Sequence, residues 1–517
     1  MNIMGSILFT KESMLRFLLA SFLLIFCFII FTSNGPKWKV APDTYGYIKQ
    51  EIINPWHGSR SPGLSIFWNV LGVRDVFRNN ITQRIINNSD IERSSKNFPR
   101  VSEALTRVAY VQAFILAFSF ALLFLALNGF VPKSTSILVC LFCICFSPLR
   151  PTNAILTDSL ATSLSIIFVA LTLFWFSKKR LILLFLLCSV SVYAVLLRPD
   201  FGFLSLGALI LCIINVICGA LHKRKRQILY SFFIIGFLCV GTLLWPIWLS
   251  IKGGVLVSGQ YEHLAKRAFA IHLLEEGDEN LFSDAASKTL VTELIKNKFD
   301  FDQSLNEKYF SQKERAQYSF PYVFVYVMHP YSDVFYQKLA LKYFKWKSLP
   351  EMLEQTNNIC NPIIRKHFYK YLQLVKSNFL SSMNFYPDLV FPYFKNNLSP
   401  VISCTWLDNF FLQVNKLFIF GYNVNFYLFI LSYVIVFLGF IVCKSNNLRY
   451  AIIFISFLYA SHMLIISFNH GIYLRYPSMS QITLLIPTLL SIYILAKRMI
   501  IVTKRVITQR RKSLFKK

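Results

Sequence analysis

Acidic charge is what this chain has least of. Only 15% of its 517 residues are charged, and Asp and Glu together number 25 against 54 Lys and Arg. A soluble domain carries roughly 25% charged residues. Here 55% of the residues are hydrophobic and 16% aromatic, with 51 Phe, which excludes a soluble globular enzyme and indicates a polytopic membrane protein. Heptads, low-complexity tracts and internal repeats are missing, so an inverted-repeat transporter has no support. A metal-binding cysteine set is missing too. All the Cys except Cys360 and Cys404 lie in or at the ends of apolar segments, where they serve as small packing residues. Cys360 and Cys404 fall in a polar region and could form a disulfide.

The formal net charge of +29 could indicate nucleic acid, but its distribution argues against that partner. The tightest basic clusters, Lys178-Lys179-Arg180, Lys223-Arg224-Lys225-Arg226 and the tail from Lys497 to Lys517, sit in short gaps between apolar runs or after the last one. Positive residues in such places orient membrane helices, and the tail suits contact with anionic lipid. Apolar runs near 14–33, 109–130, 134–149, 156–177, 181–197, 202–221, 228–250, 425–443, 449–468 and 478–498 predict an all-α fold of about ten transmembrane helices. The first run follows Lys11 and Arg16 and lacks a clean small-residue cleavage site, so it is expected to be a retained signal-anchor. With the N-terminus inside, the basic gaps and the tail fall in the cytoplasm, and every Asp and Glu except Glu12 lies on or near the outer face.

Two long external loops result. The first, 34–108, belongs to a module over residues 1–250, and its apolar piece Leu64 to Val73 suits an interfacial helix. The second is a loop region over 251–424, expected to mix interfacial helices and loops. The last helices and the basic tail make up 425–517.

Polar residues from four loops share the outer rim. Asp43 lies in Pro42-Asp43-Thr44-Tyr45-Gly46-Tyr47, followed by Arg60-Ser61-Pro62-Gly63. Arg150, Asn153 and Asp158 lie between the third and fourth spans, Arg198-Pro199-Asp200 closes the fifth, and His470 to Pro477 joins the last two. This set suits glycosyl transfer from a polyprenyl-phosphate sugar. Arg stabilises a phosphate leaving group by bidentate hydrogen bonds, and a carboxylate acts as general base on the acceptor hydroxyl. One carboxylate suffices for inversion, whereas a covalent route needs a second as nucleophile.

Asp43 in its Pro-Asp-Thr-Tyr-Gly-Tyr setting, the Arg60-Ser61-Pro62-Gly63 element and Leu474-Arg475-Tyr476-Pro477 resemble the GT-C superfamily of multi-spanning, lipid-phosphate-sugar glycosyltransferases. The two long loops resemble its protein-mannosyltransferase and aminoarabinose-transferase branch. Size and composition look similar to bacterial O-antigen-modifying (serotype-converting) glucosyltransferases. The resemblance implies Asp43 as catalytic base, Asp158 as a second acidic site residue, and Arg198 and Arg475 as ligands of the carrier phosphate. It also implies a bacterial inner membrane, with the site on the periplasmic face. A divalent cation on the phosphate is the one cofactor the resemblance leaves open. About ten spans and no sizeable soluble C-terminal domain depart from the common form, which favours a surface glycan or lipid-linked acceptor over a protein.

Each residue also has a plainer role. Asp43 could be an ordinary loop carboxylate, and Asp158 could cap the fourth helix. Arg198 and Arg475 could snorkel, Arg60 could brace the first loop, and His470 could be a hydrogen-bonded structural histidine. Tyr45, Tyr47 and Trp56 could stack on a sugar ring or belong to the interfacial aromatic belt, and Tyr476 is placed with the substrate-binding residues. Two rival functions remain: a polymerase using a lipid pyrophosphate glycan, and a flippase, which would need polar residues along the span centres.

Overall fold

The computed structural model describes residues 11–32, 62–80, 98–146, 157–253, 267, 269–309, 340, 342–344, 349–383, 425–469 and 482–514. Every regular element among them is helical: α1 (Lys11–Thr32), α2 (Gly63–Val70), α3 (Arg74–Asn80), α4 (Pro99–Leu127), α5 (Lys133–Phe146), α6 (Thr157–Lys178), α7 (Leu181–Leu197), α8 (Gly202–Leu221), α9 (Lys225–Gly253), α10 (Ala285–Tyr309), α11 (Leu349–Lys366), α12 (Phe368–Met383), α13 (Asn425–Val442), α14 (Asn446–Asn469) and α15 (Ile482–Leu514). Short 3-10 turns cover Pro199–Phe201 and Asp278–Leu281.

Among the described residues, seven helices are long and apolar enough to cross a membrane: α1, α4, α6, α8, α9, α14 and α15. Three shorter apolar stretches, Lys133–Ile144, Leu181–Leu197 and Phe429–Val442, lie where three further spans were expected. The chain is a multi-pass integral membrane protein of all-α class.

Helix α6 is the centre of the bundle and packs against α4, α7, α14 and α15. Its polar side chains are small: Ser159, Thr162, Ser163, Ser165 and Thr172 are all buried, and Ser163 donates to the Ser159 carbonyl at 2.8 Å. Small residues let neighbouring helices approach closely. The same device recurs where α13 meets α15: a Cβ on Gly439 would fall 2.4 Å from the Ser491 side chain. Helix α1 lies along α4, with the Phe28 ring 6.1 Å from that of Phe114 and 6.3 Å from that of Tyr110.

The basic gaps are tight turns with a backbone role. Lys179 (φ 51°) and Lys223 (φ 55°) adopt the left-handed conformation that ends many helices, usually with glycine. Lys179 N–H closes on the Trp175 carbonyl at 2.7 Å, and its ammonium lies 3.9 Å over the Trp175 ring. That cation–π contact helps hold a conformation a Cβ disfavours.

Helix α4 begins ten residues before the expected span, with Pro99 at its first position. The extension exists because α2 and α3 need something to pack on. Leu64, Phe67, Trp68 and Phe77 are buried with Val101, Leu105 and Val108 in one core, and Arg107 donates to the Leu71 carbonyl at 3.4 Å. The apolar piece expected to lie at the membrane interface therefore points mostly into protein. Near its end Asn69, Val70 and Gly72 stay exposed, and Val70 is the large apolar side chain among them.

In the second long region, α10, α11 and residues near 270 form a small core of their own around Ile271, Leu274, Leu290, Val291, Ile359 and Ile363. Cys360 is packed in this core, while Cys404 lies outside the described residues. Helix α12 runs from this core to the bundle, where Phe379 packs with Tyr459 and Met463 of α14.

Candidate functional site

Pro199 builds the site. It lacks an N–H and pushes the residue before it out of the helical region, so α7 stops and Arg198 is extended (φ −151°, ψ 118°). A single 3-10 turn follows, closed by Phe201 N–H on the Arg198 carbonyl at 3.0 Å, before α8 starts at Gly202. This turn sets Arg198 and Asp200 on either side of the proline with their side chains facing each other. Arg198 Nε donates to Asp200 Oδ1 at 3.1 Å, and its Nη2 donates to Oδ2 at 3.2 Å. The pair is almost closed to solvent, with side-chain exposures of 10% and 5%.

His462 of α14 completes the cluster. It is fully buried, its Nε2 is 3.7 Å from Asp200 Oδ2, and its ring stacks on Phe203 at 4.3 Å with Phe201 at 5.4 Å. At 3.7 Å the contact is electrostatic and not a direct hydrogen bond. Among the described residues, Arg198, Asp200 and His462 are the buried charged or imidazole side chains of the apolar helices. Such groups are expensive in a membrane bundle and mark working sites by default. Two shielded hydroxyls add polar capacity at this end: Ser159 Oγ at the start of α6 and Ser205 Oγ in the first turn of α8 have no hydrogen-bond partner among the described residues.

The first long loop reaches the same place. Gly63 lies so close to α7 that a Cβ on it would sit 2.5 Å from both N and Cα of Leu197, the residue before Arg198. The Tyr193 hydroxyl donates to the Gly63 carbonyl at 3.2 Å, fixing the contact. The last glycine of the Arg60-Ser61-Pro62-Gly63 element is thus docked beside the Arg198-Pro199-Asp200 turn.

Of the residues expected at the site, Arg198 is described in full. Asp158 is placed in the first turn of α6, one residue before the buried Ser159. Asp43, Tyr45, Arg60, His470, Arg475 and Tyr476 lie outside the described residues, as do Arg150 and Asn153. Arg198 has a task that neither snorkelling nor phosphate binding anticipated: two of the guanidinium's five donors are engaged by Asp200. His462 was missed altogether. A lone histidine in the apolar run of α14 reads as packing unless every ionisable group inside a span is treated as a candidate.

A second polar cluster lies where residues 275–278 meet the junction of α11 and α12. Asp278 is closed to solvent and accepts from Lys366 Nζ at 2.7 Å and from the Glu275 backbone N–H at 2.8 Å, with His367 Nε2 at 2.9 Å. Burial opposes ionisation of Asp278, but these three partners outweigh it and hold its pKa below the ordinary 3.8. Lys366 ends α11 and His367 is the joint before α12, so the cluster fixes the bend between the two helices. Among the described residues no group of three His, Cys, Asp or Glu could hold a metal ion.

Comparison with known proteins finds no matching family model, no matching curated protein and no matching solved structure.

Proposed function

We propose that this chain is a membrane glycosyltransferase that moves a monosaccharide from a polyprenyl-phosphate donor to a surface glycan or lipid-linked acceptor. The reading has about ten spans, with the shorter α5, α7 and α13 crossing the membrane as well. It places the protein in a bacterial inner membrane and the chemistry on the periplasmic side. The observation that carries it is the docking of Gly63 against Leu197 beside the buried Arg198–Asp200–His462 cluster. Two of the rim motifs, distant in sequence, meet at one end of a bundle whose described helices are otherwise almost free of buried charge.

In this reading Asp43 takes the proton from the acceptor hydroxyl and the sugar transfers with inversion. Asp158 shares the acidic side of the site. Arg475 stabilises the departing phosphate. Arg198 is already neutralised as a pair by Asp200, so most of the phosphate's charge falls to Arg475, and Arg198 shapes the floor beneath it. Arg60, Tyr45, His470 and Tyr476 line the donor and acceptor sides.

The test is transfer in membranes supplied with radiolabelled polyprenyl-phosphate sugars, comparing wild type with Asp43→Asn. Label entering a glycan with wild type alone supports the reading. Full activity in the variant removes Asp43 as base. No transfer from any such donor by folded protein removes the class, leaving polymerisation from a lipid pyrophosphate or lipid translocation.

A further inference from the structure

The last helix holds a feature that sugar transfer does not use. Helix α15 runs unbroken from Ile482 to Leu514, 33 residues, whereas the sequence expected its span to end near 498. At 1.5 Å per residue, Lys504 lies about 33 Å along the axis from Ile482. The hydrocarbon core is about 30 Å thick, so Lys504 and Arg505 emerge at the level of the lipid phosphates.

The residues around that level are ordered by face. Basic pairs recur at Lys497-Arg498, Lys504-Arg505 and Arg511-Lys512, seven residues apart. Two turns of helix bring such pairs back to nearly the same side. Between them, Met499, Val502 and Val506 share another face, flanked by Ile500 and Ile507, and all five are exposed, Met499 at 70%. Lys504 and Arg505 are exposed too. An apolar face beside a basic one, in a helix leaving a bilayer, is the pattern of an interfacial segment.

What covers this surface is selected by charge. The sequence contains no Asp or Glu after Asp408, so a second copy of the same helix would bring like charges together. Connectivity sets the other basic turns at the same end of the bundle: Lys178 to Arg180, Lys223 to Lys225, and Lys444 with Arg449. Lys133 closes the agreement, since its Nζ is 3.9 Å from Glu12 in the first turn of α1.

We propose that the end of α15, residues 497–509, is an anionic-lipid docking surface. Lys504 and Arg505 bind lipid phosphates of a negatively charged leaflet, Lys497 and Arg498 reach toward them along the helix by snorkelling, and the Met499, Val502 and Val506 face seats in the acyl boundary. Each Lys or Arg near such a surface contributes ~1 kcal/mol, about a fivefold gain in surface occupancy. This docking stands apart from the proposed chemistry and survives its failure.

The experiment uses the full chain in nanodiscs of pure phosphatidylcholine or of phosphatidylcholine with phosphatidylglycerol at 3:1. Limited trypsin digestion, read by mass spectrometry, follows cleavage after Lys504 and Arg505. Cleavage is expected to be at least fivefold slower in the phosphatidylglycerol discs, with the protection lost at high salt. A Lys504→Glu, Arg505→Glu variant should digest equally fast in both discs after Arg510 and Arg511, the next tryptic sites outward along the chain, where wild type is expected to be protected in the phosphatidylglycerol discs. Both substitutions are on an exposed helix end, so the bundle should fold. Equal cleavage of wild type in the two discs overturns the proposal. So does protection that follows protein concentration, which would mean pairing of copies, or protection by added RNA in neutral discs.

Discussion

Gly63 and Leu197 approach more closely than any side chain on residue 63 would allow: an added Cβ would lie 2.5 Å from the Leu197 Cα and backbone N. This contact joins the first long loop to the turn that carries Arg198 and Asp200, so disturbing it should disturb the site before it disturbs the bundle. Gly63→Ala is expected to lower stability by about 1–3 kcal/mol, the range for overpacking, and to reduce transfer activity sharply. Gly202→Ala is the control, since a Cβ there meets nothing within 4 Å. Thermal melting in detergent and the transfer assay on both variants decide it, and a harmless Gly63→Ala would dissolve the link.

Arg198 and Asp200 should behave as one unit. Removing one member of a buried ion pair strands the other, at about 3–5 kcal/mol. Asp200→Asn and Arg198→Gln are each expected to destabilise the protein strongly. The double variant should be less destabilised than the sum, because neither partner is left charged and alone. Additive losses in a double-mutant cycle would show that the fork between them contributes little.

His462→Gln should be milder in stability than in function. The ring packs between Phe201 and Phe203 and faces Asp200 at 3.7 Å. A polar side chain of similar reach keeps most of the packing but loses the imidazole field on the carboxylate. Transfer that stays at wild-type level across pH 6 to 8 would assign His462 to packing alone.

Helices α7 and α8 carry a built-in distance check. The Cys188 and Cys212 sulfurs are 3.8 Å apart and both residues are buried, against about 2.0 Å in a disulfide. Oxidation of membranes with copper phenanthroline should therefore give a Cys188–Cys212 bond detectable by mass spectrometry. Cys212→Ser should abolish it. Failure to crosslink, with other cysteines reacting, would contradict the packing of α7 on α8.

Helices α10 to α12 should lose stability in acid. Asp278 has its pKa held below 3.8 in the folded protein, so its contribution is present above the unfolded value and is lost as pH falls through the folded one. Melting of α10 to α12, followed by hydrogen exchange, should quicken below about pH 4. Asp278→Asn should remove most of that acid dependence and cost about 1–3 kcal/mol at neutral pH, the range for leaving buried partners unsatisfied. An unchanged acid profile in the variant would place the dependence elsewhere.

What the sequence determined by itself is local. Apolar runs of membrane length yield helices wherever they occur, so α1, α4, α6, α8, α9, α14 and α15 were legible. The break at Pro199 was legible too, since a proline restricts its own neighbour. The basic gaps were legible as gaps, but not as turns that hold Lys179 and Lys223 in left-handed conformations. The extra turns of α4 were hidden because they are not apolar enough to be read as a span and exist to receive α2 and α3. Only the tertiary structure decided what meets what. His462 beside Asp200, Gly63 against Leu197, and the Asp278 knot with Lys366 and His367 each join residues far apart in the chain. Helix formation is settled within a few residues by propensity and solvent. Such contacts depend on which faces of finished helices pack together, and a linear pattern of polar and apolar residues does not state that.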